Sequence, residues 1–242
     1  MVRLFCLAHA GGGALAFRPW RGRLGDGIAL HPVVLPGRES RWGETPYTWM
    51  DDLADGVLSE LAPLLHGPYA FFGHSMGAAV AYELTRRLTE RPAQGQDPPI
   101  RLLVSGRRPP HIHAPRNRRT PAHLLPYEDF LTYLRALGGV PPEVLNDRRT
   151  LDAFLPAMRA DFEVNETYTP PRAPRLQIPV SAFRGVEDPA VTADDMRRWQ
   201  EVTGKSCTLR TLPGGHFYLK GGPPELLEAI RDDLTGVPAG QG

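Results

Sequence analysis

The chain has little cysteine, little net charge and no long apolar run. Its two cysteines, Cys6 and Cys207, are too few for a disulfide framework. Each falls in a strand-like apolar segment, so free, buried thiols in a reducing cytoplasm are expected. With 28 basic against 27 acidic residues the formal charge is +1, which leaves no general pull toward nucleic acid or an anionic membrane. The apolar start covers Leu4 to Ala8; a secretory h-region needs about 7–15 residues, although Ala8-His9-Ala10 imitates a cleavage site. No stretch approaches the roughly 20 apolar residues of a membrane span. Also missing are the G-x-x-x-x-G-K-S/T and G-x-G-x-x-G phosphate loops, and any Cys/His or His/carboxylate spacing that would hold a metal. The expectation is a cytoplasmic, monomeric protein, since 242 residues that are 41% hydrophobic suffice for one well-buried core.

Six short apolar runs recur: VRLFCLA (2–8), IALHPVVL (28–35), YAFFG (69–73), IRLLVSG (100–106), IPVSAFRG (178–185) and CTLRTL (207–212). They are continuous and not alternating, the pattern of strands buried on both faces of a parallel sheet. Helical stripes fall between them: Phe17, Trp20 and Leu24; Leu53, Val57 and Leu61 after a capping box at Thr48 to Asp51; Val80, Leu84 and Leu88; and Leu226, Ile230 and Leu234 behind Pro223-Pro224. Thr192 to Asp195 should cap a further helix carrying Met196 and Trp199. Strand–helix alternation predicts an α/β, mostly parallel, doubly wound sheet in a single domain over 1–242. About seventy residues between Gly106 and Ile178 lack a strand and instead hold helical patterns at Phe130 to Leu137 and Leu151 to Phe162. The core is therefore assigned to about 1–106 and 178–234, with a helical insertion at about 107–177 lying as a lid over the carboxyl edge.

Gly73-His74-Ser75-Met76-Gly77 follows an apolar strand and opens an amphipathic helix. That is the setting of a nucleophile elbow, in which flanking glycines let the backbone bend sharply; a serine packed in a glycine-rich turn is the plainer alternative. A serine hydroxyl needs a base, and the base an orienting acid, both on loops that leave the carboxyl ends of strands. Of the eight histidines, His216 in LPGGHF follows the last strand. His74 would point away from the serine, His9 reads as structural, and His111, His113 and His123 belong to the insertion, where exposed loop roles are expected. After IRLLVSG no carboxylate follows, whereas IPVSAFRG leads into Val186-Glu187-Asp188-Pro189. Asp188 is the candidate acid, with Glu187 as its rival. An oxyanion would be met by the amide of Met76, the residue after the nucleophile, and by that of Ala10 in the loop His9-Ala10-Gly11-Gly12-Gly13. A phosphate cradle is the competing use of that loop.

Taken together with LPGRESRWGE (35–44), FRGVEDPAV (183–191) and LRTLPGGHFYL (209–219), these residues resemble the type II editing thioesterases of polyketide and nonribosomal peptide synthesis, over nearly the whole chain. Trp42 and Tyr218 stand where that pattern leads one to expect Phe. The resemblance implies an α/β-hydrolase fold with a mobile helical lid. It also implies hydrolysis of acyl thioesters from the phosphopantetheine arm of acyl or peptidyl carrier proteins, with no cofactor and no metal. Two further expectations concern the insertion. Between Arg107 and Arg119 stand five arginines, two histidines and no acid, so Arg116, Arg118 and Arg119 are candidates for docking an acidic carrier protein, against a solvated loop. Phe154, Met158 and Phe162 are candidates to line an acyl channel, against ordinary packing at helical spacing. A carboxylesterase or lipase, a product-releasing type I-like thioesterase, and an idle scaffold are the alternatives.

Overall fold

The computed structural model describes residues 1–90, 95–112 and 120–236. Its strands are β1 (Val2–Leu7), β2 (Ile28–Pro32), β3 (Tyr69–His74), β4 (Arg101–Ser105), β5 (Val180–Gly185) and β6 (Cys207–Leu212). They form one sheet in the order β2-β1-β3-β4-β5-β6, and every pairing is parallel. The α-helices are α1 (Met50–Leu61), α2 (Met76–Glu90), α3 (Tyr127–Leu137), α4 (Pro142–Asn146), α5 (Arg148–Thr167), α6 (Ala193–Arg197) and α7 (Pro224–Thr235).

In the inner strands β1, β3, β4 and β5 the continuous apolar runs follow from burial on both faces, whereas the edge strands β2 and β6, expected to be buried alike, are only partly covered. Phe5, Leu7, Tyr69 and Phe71 point into a core shared with α1, α2 and α6. Their neighbours Leu4, Cys6, Ala70 and Phe72 point into a second core with α7 and a 3-10 segment at Ala14–Trp20. Side chains alternate across a strand, so when both faces are covered no polar position is left. The connection after β1 thus runs over one face and the helix after β3 over the other. Where two neighbouring strands send their connections to opposite faces, a crevice opens beyond their carboxyl ends. The loop after β1 and the turn after β3 meet at that crevice.

Two local expectations are corrected. Thr48 does not cap α1: the N-cap is Trp49, with no side-chain bond, and the first helical hydrogen bond runs from Leu53 N to Trp49 O at 3.1 Å. Thr48 lies one residue too early, and Asp51 and Asp52 in the first turn complement the helix dipole instead. The stripe Phe17, Trp20, Leu24 is buried as expected but is wound as a 3-10 segment that ends before Leu24. Pro19 supplies no amide donor there. By contrast, Thr192 and Asp195 make the full reciprocal capping box of α6.

Between β4 and β5, helices α3 and α5 close a separate apolar cluster of Phe130, Leu131, Leu134, Leu151, Leu155, Met158 and Phe162. Gly138, with φ 75°, ends α3 in a left-handed cap. Val164, near the end of α5, joins the first sheet core and ties the insertion to it. Among the described residues no helix is long and apolar enough to cross a membrane.

Candidate active site

Ser75 sits between the last residue of β3 and the first of α2 with φ 56°, in the left-handed region that non-glycine residues seldom occupy. The backbone there is over-determined. A Cβ on Gly73 would come 2.1 Å from the carbonyl oxygen of Gly77, and one on Gly77 would come 2.2 Å from that of Leu7. Only hydrogen fits at either place. The Ser75 amide donates to Ser105 O at 2.8 Å, which ties the bend to the end of β4. Met76 opens α2, so its amide lies in the first turn, where helix amides lack an intrahelical acceptor.

His216 leaves the loop after β6, and its Nδ1 lies 2.9 Å from Oδ2 and 3.1 Å from Oδ1 of Asp188, in the loop after β5. The side chains are 10% and 0% exposed, so the bond is shielded from water. Asp188 Oδ1 also accepts the Ala190 amide at 2.8 Å, which fixes the carboxylate's plane. Glu187 is exposed, so Asp188 is the partner the fold supplies. The carboxylate engages Nδ1 as a donor and leaves Nε2 on the opposite edge of the ring. The loops are pressed together by Gly185, where a Cβ would come 2.3 Å from both Gly214 O and Gly215 O. His216 reaches the serine side of the sheet: its Cε1 lies 3.2 Å from where a Cβ on Gly106 would stand, one residue past the carbonyl that holds Ser75.

Beneath His216 lies His74, with ring centroids 4.9 Å apart. His74 is fully buried and its Nδ1 is 2.9 Å from Ser105 Oγ, which in turn is 2.6 Å from the Tyr218 hydroxyl. Burial, with the charge His216 can carry, holds the His74 imidazole well below its ordinary range. The Tyr218 hydroxyl, absent from a Phe, thus has a bonded role. His9 packs edge-on to Phe217 at 4.9 Å. Burial, then His216 and Lys220, pulls it down to about 4. Both rings are neutral at neutral pH. His123, expected in an exposed loop role, is instead held at 2.7 Å from Glu166, with a side chain 11% exposed.

The other sequence candidates lie as follows. Ala10 is in the loop after β1, at the crevice. Phe154, Met158 and Phe162 all lie on α5. Phe154 meets the half-exposed Trp42 edge-on at 4.8 Å. Met158 overhangs the glycine loop, with Cγ 3.1 Å from where a Cβ on Gly11 would stand. Phe162 packs inside the insertion against Phe130 and Tyr133. Arg116, Arg118, Arg119 and His113 lie outside the described residues. No group of three or more metal-ligating side chains occurs among the described residues. Sequence reasoning missed Arg38 and Asp161, a buried ion pair at 2.7 Å against the glycine loop. The available signal was a carboxylate set within the apolar stripe Leu155, Met158, Phe162.

The chain matches known proteins over nearly its whole length. The family model described as a thioesterase domain matches residues 2–234. The gramicidin S biosynthesis protein GrsT of Aneurinibacillus migulanus is 37% identical over 238 residues, covering 98% of this chain and 91% of its own. RedJ, a thioesterase of the prodiginine pathway of Streptomyces coelicolor, superimposes with a TM-score of 0.86 at 40% identity, over 96% of this chain and 85% of RedJ. BorB, a type II thioesterase from the borrelidin cluster, gives 0.84 at 37% identity, over 96% and 92%. The chain belongs to the thioesterase family and is a thioester hydrolase of α/β-hydrolase fold.

Proposed function

We propose that this protein is an editing thioesterase that removes acyl groups from the phosphopantetheine arm of acyl or peptidyl carrier proteins in polyketide or nonribosomal peptide synthesis. The observation that carries the reading is a strained serine with φ 56° after β3 and a shielded 2.9 Å His216–Asp188 bond after β5 and β6, all at the carboxyl edge of one parallel sheet. GrsT, RedJ and BorB, named for the biosynthesis of gramicidin S, prodiginine and borrelidin, support the substrate class.

In this mechanism Ser75 Oγ attacks the thioester carbonyl while His216 Nε2 takes its proton. The Met76 and Ala10 amides receive the oxyanion, and Asp188 holds the tautomer and steadies the imidazolium. The tetrahedral intermediate collapses, the C–S bond breaks, and the pantetheine sulfur leaves with the proton from His216. Water, deprotonated by the same imidazole, then frees Ser75 and releases the acid. A thiolate is a good leaving group, so the site asks more of its oxyanion donors than of its general acid. No cofactor is consumed. Phe154 and Met158 are assigned to the acyl path, while Phe162 is assigned to the packing of the lid.

Turnover of short acyl-pantetheine thioesters and acyl-carrier protein, measured beside matched oxygen esters, tests the reading. Thioesters should be preferred, and Ser75→Ala should lower kcat by about 10⁶-fold with little change in melting temperature. Preference for oxygen esters with no turnover of acyl-carrier protein would overturn it.

A further inference from the structure

The glycine loop after β1 is fastened from two sides by charged side chains that the cycle above leaves unused. From the insertion, Asp161 on α5, 2% exposed, accepts the Gly11 amide on Oδ2 at 2.7 Å. The same carboxylate takes both Nη atoms of Arg38, each at 2.7 Å. From the loop after β2, Arg38, 4% exposed, also donates to Gly12 O at 2.8 Å. Its neighbour Glu39 stands in the left-handed region, φ 48°, and accepts the Ala14 and Leu15 amides at 3.2 and 3.0 Å. Gly13 permits this approach, since a Cβ there would come 2.3 Å from Glu39 Oε1.

The consequence is which amides remain. Gly11 donates to Asp161, Gly12 to His9 O at 2.8 Å, and Ala14 and Leu15 to Glu39. Among the described residues the amides of Ala10 and Gly13 have no acceptor, and Ala10 is the one nearer the end of β1. A buried, bidentate ion pair is a poor source of stability, because desolvating both charges offsets most of their attraction. It is a good source of direction, since a carboxylate with three charged or polar donors cannot rotate. Met158, one turn before Asp161 on α5, covers Gly11 with Cγ at 3.1 Å from a Cβ position there, so the same helix face both packs on the loop and bonds it.

We propose that Asp161 and Arg38, with Glu39 behind them, are positioning residues that aim the Ala10 amide, so that the oxyanion hole is complete only while α5 is docked. The inference rests on the functional reading above and adds a part to it: the insertion not only covers the site but supplies the group that sets its electrophilic loop.

Asp161→Asn is the primary test. Its NH₂ replaces either Oδ1, which costs Arg38 one acceptor, or Oδ2, which costs Gly11 and Arg38 one each. On an acyl-pantetheine thioester, kcat should fall by about 10²-fold with KM changed less than about threefold, the scale of a misplaced oxyanion donor. A trifluoromethyl ketone analogue, which adds Ser75 Oγ and sets an oxyanion in the hole, should lose affinity by a similar factor. A thioether analogue without a carbonyl should bind as it does to the wild type. Arg38→Lys, which keeps the charge but cannot fork to Asp161 and Gly12 O together, should show the same split at about tenfold, and it carries the comparison if Asp161→Asn fails to fold. Unchanged kcat, or equal losses for ketone and thioether, would overturn the clamp. Full kcat in Asp161→Asn beside an inactive Ser75→Ala overturns the clamp and leaves the thioesterase reading standing. A wild type that turns over no thioester overturns that reading, and the ketone–thioether comparison still decides the clamp.

Discussion

In the loops after β3, β5 and β6 the backbone leaves itself no room. Gly73, Gly77 and Gly185 each face a carbonyl oxygen within 2.3 Å of where a Cβ would stand, and the acid at the end of β5 is fully shielded. The helices between β4 and β5 are built differently. They rest on interchangeable apolar contacts, Phe130, Leu134, Leu151 and Phe162 among them, and meet the site through few residues, chiefly Met158 and Asp161. The first region tolerates no side-chain change at the bend; the second tolerates many so long as volume is kept. On the proposed function, the rigid frame would hold the reacting groups and the softer helices would cover them, which suits a substrate that enters on a long arm.

The largest effect that separates the two regions concerns the acid. Asp188→Asn should lower kcat by up to about 10⁴-fold, because the amide favours the wrong tautomer of His216. Glu187→Gln, one residue away and exposed, should leave kcat within about twofold. Steady-state kinetics on one acyl-pantetheine substrate reads both. Comparable losses in the two variants would mean that the loop after β5 is far less constrained than its hydrogen bonds imply.

How much of this was legible in the sequence follows the same division. The inner strands were, because burial on both faces writes continuous apolar runs, and the elbow was, because its glycines answer to contacts within a few residues, Gly73 against Gly77. Ser75, Asp188 and His216 each follow a strand, so their placement at one edge of the sheet needed only the topology. The choice between Asp188 and Glu187 needed coordinates, since both sit in one turn and only side-chain direction separates them. The start of α1 was misjudged by one residue because Trp49, a poor capping residue by type, takes the position. The burial of Asp161 left a trace, a carboxylate within an apolar stripe, but its partner did not: Gly11 lies 150 residues away, and no local pattern records the pairing.

A middle-sized effect tests whether the cover is a separate cooperative unit. Phe162, 4% exposed, packs against Phe130 and Tyr133 and not against the sheet. Phe162→Ala should cost about 3–5 kcal/mol of local stability. In hydrogen exchange, amides of α3 such as Phe130 to Leu134 should lose protection, while Phe71 to Gly73 in β3 keep most of theirs. Equal loss in both would merge the two regions into one unit, with Val164 at the end of α5 as the link.

The smallest effect is read where the regions touch. His9 follows β1, packs on Phe217 and lies beside Gly139 just after α3, its Cδ2 3.5 Å from where a Cβ on Gly139 would stand. Burial chiefly, and the charges of His216 and Lys220 next, lower its imidazole from 6.5 to about 4. The folded state therefore refuses a proton that the unfolded chain accepts between those values, so unfolding free energy must rise with pH across that window and level off above it. The shift corresponds to at most about 3 kcal/mol lost on acidifying through it. His74, lowered in the same direction by burial, adds its own slope and remains when His9 is replaced. Urea unfolding of the wild type and of His9→Asn, from pH 7.5 down to pH 4.5, should therefore give a shallower acid loss in the variant without abolishing it. Parallel profiles would mean that the His9 ring is solvated in the folded protein and that the contact between glycine loop and insertion is looser than its packing on Phe217 suggests.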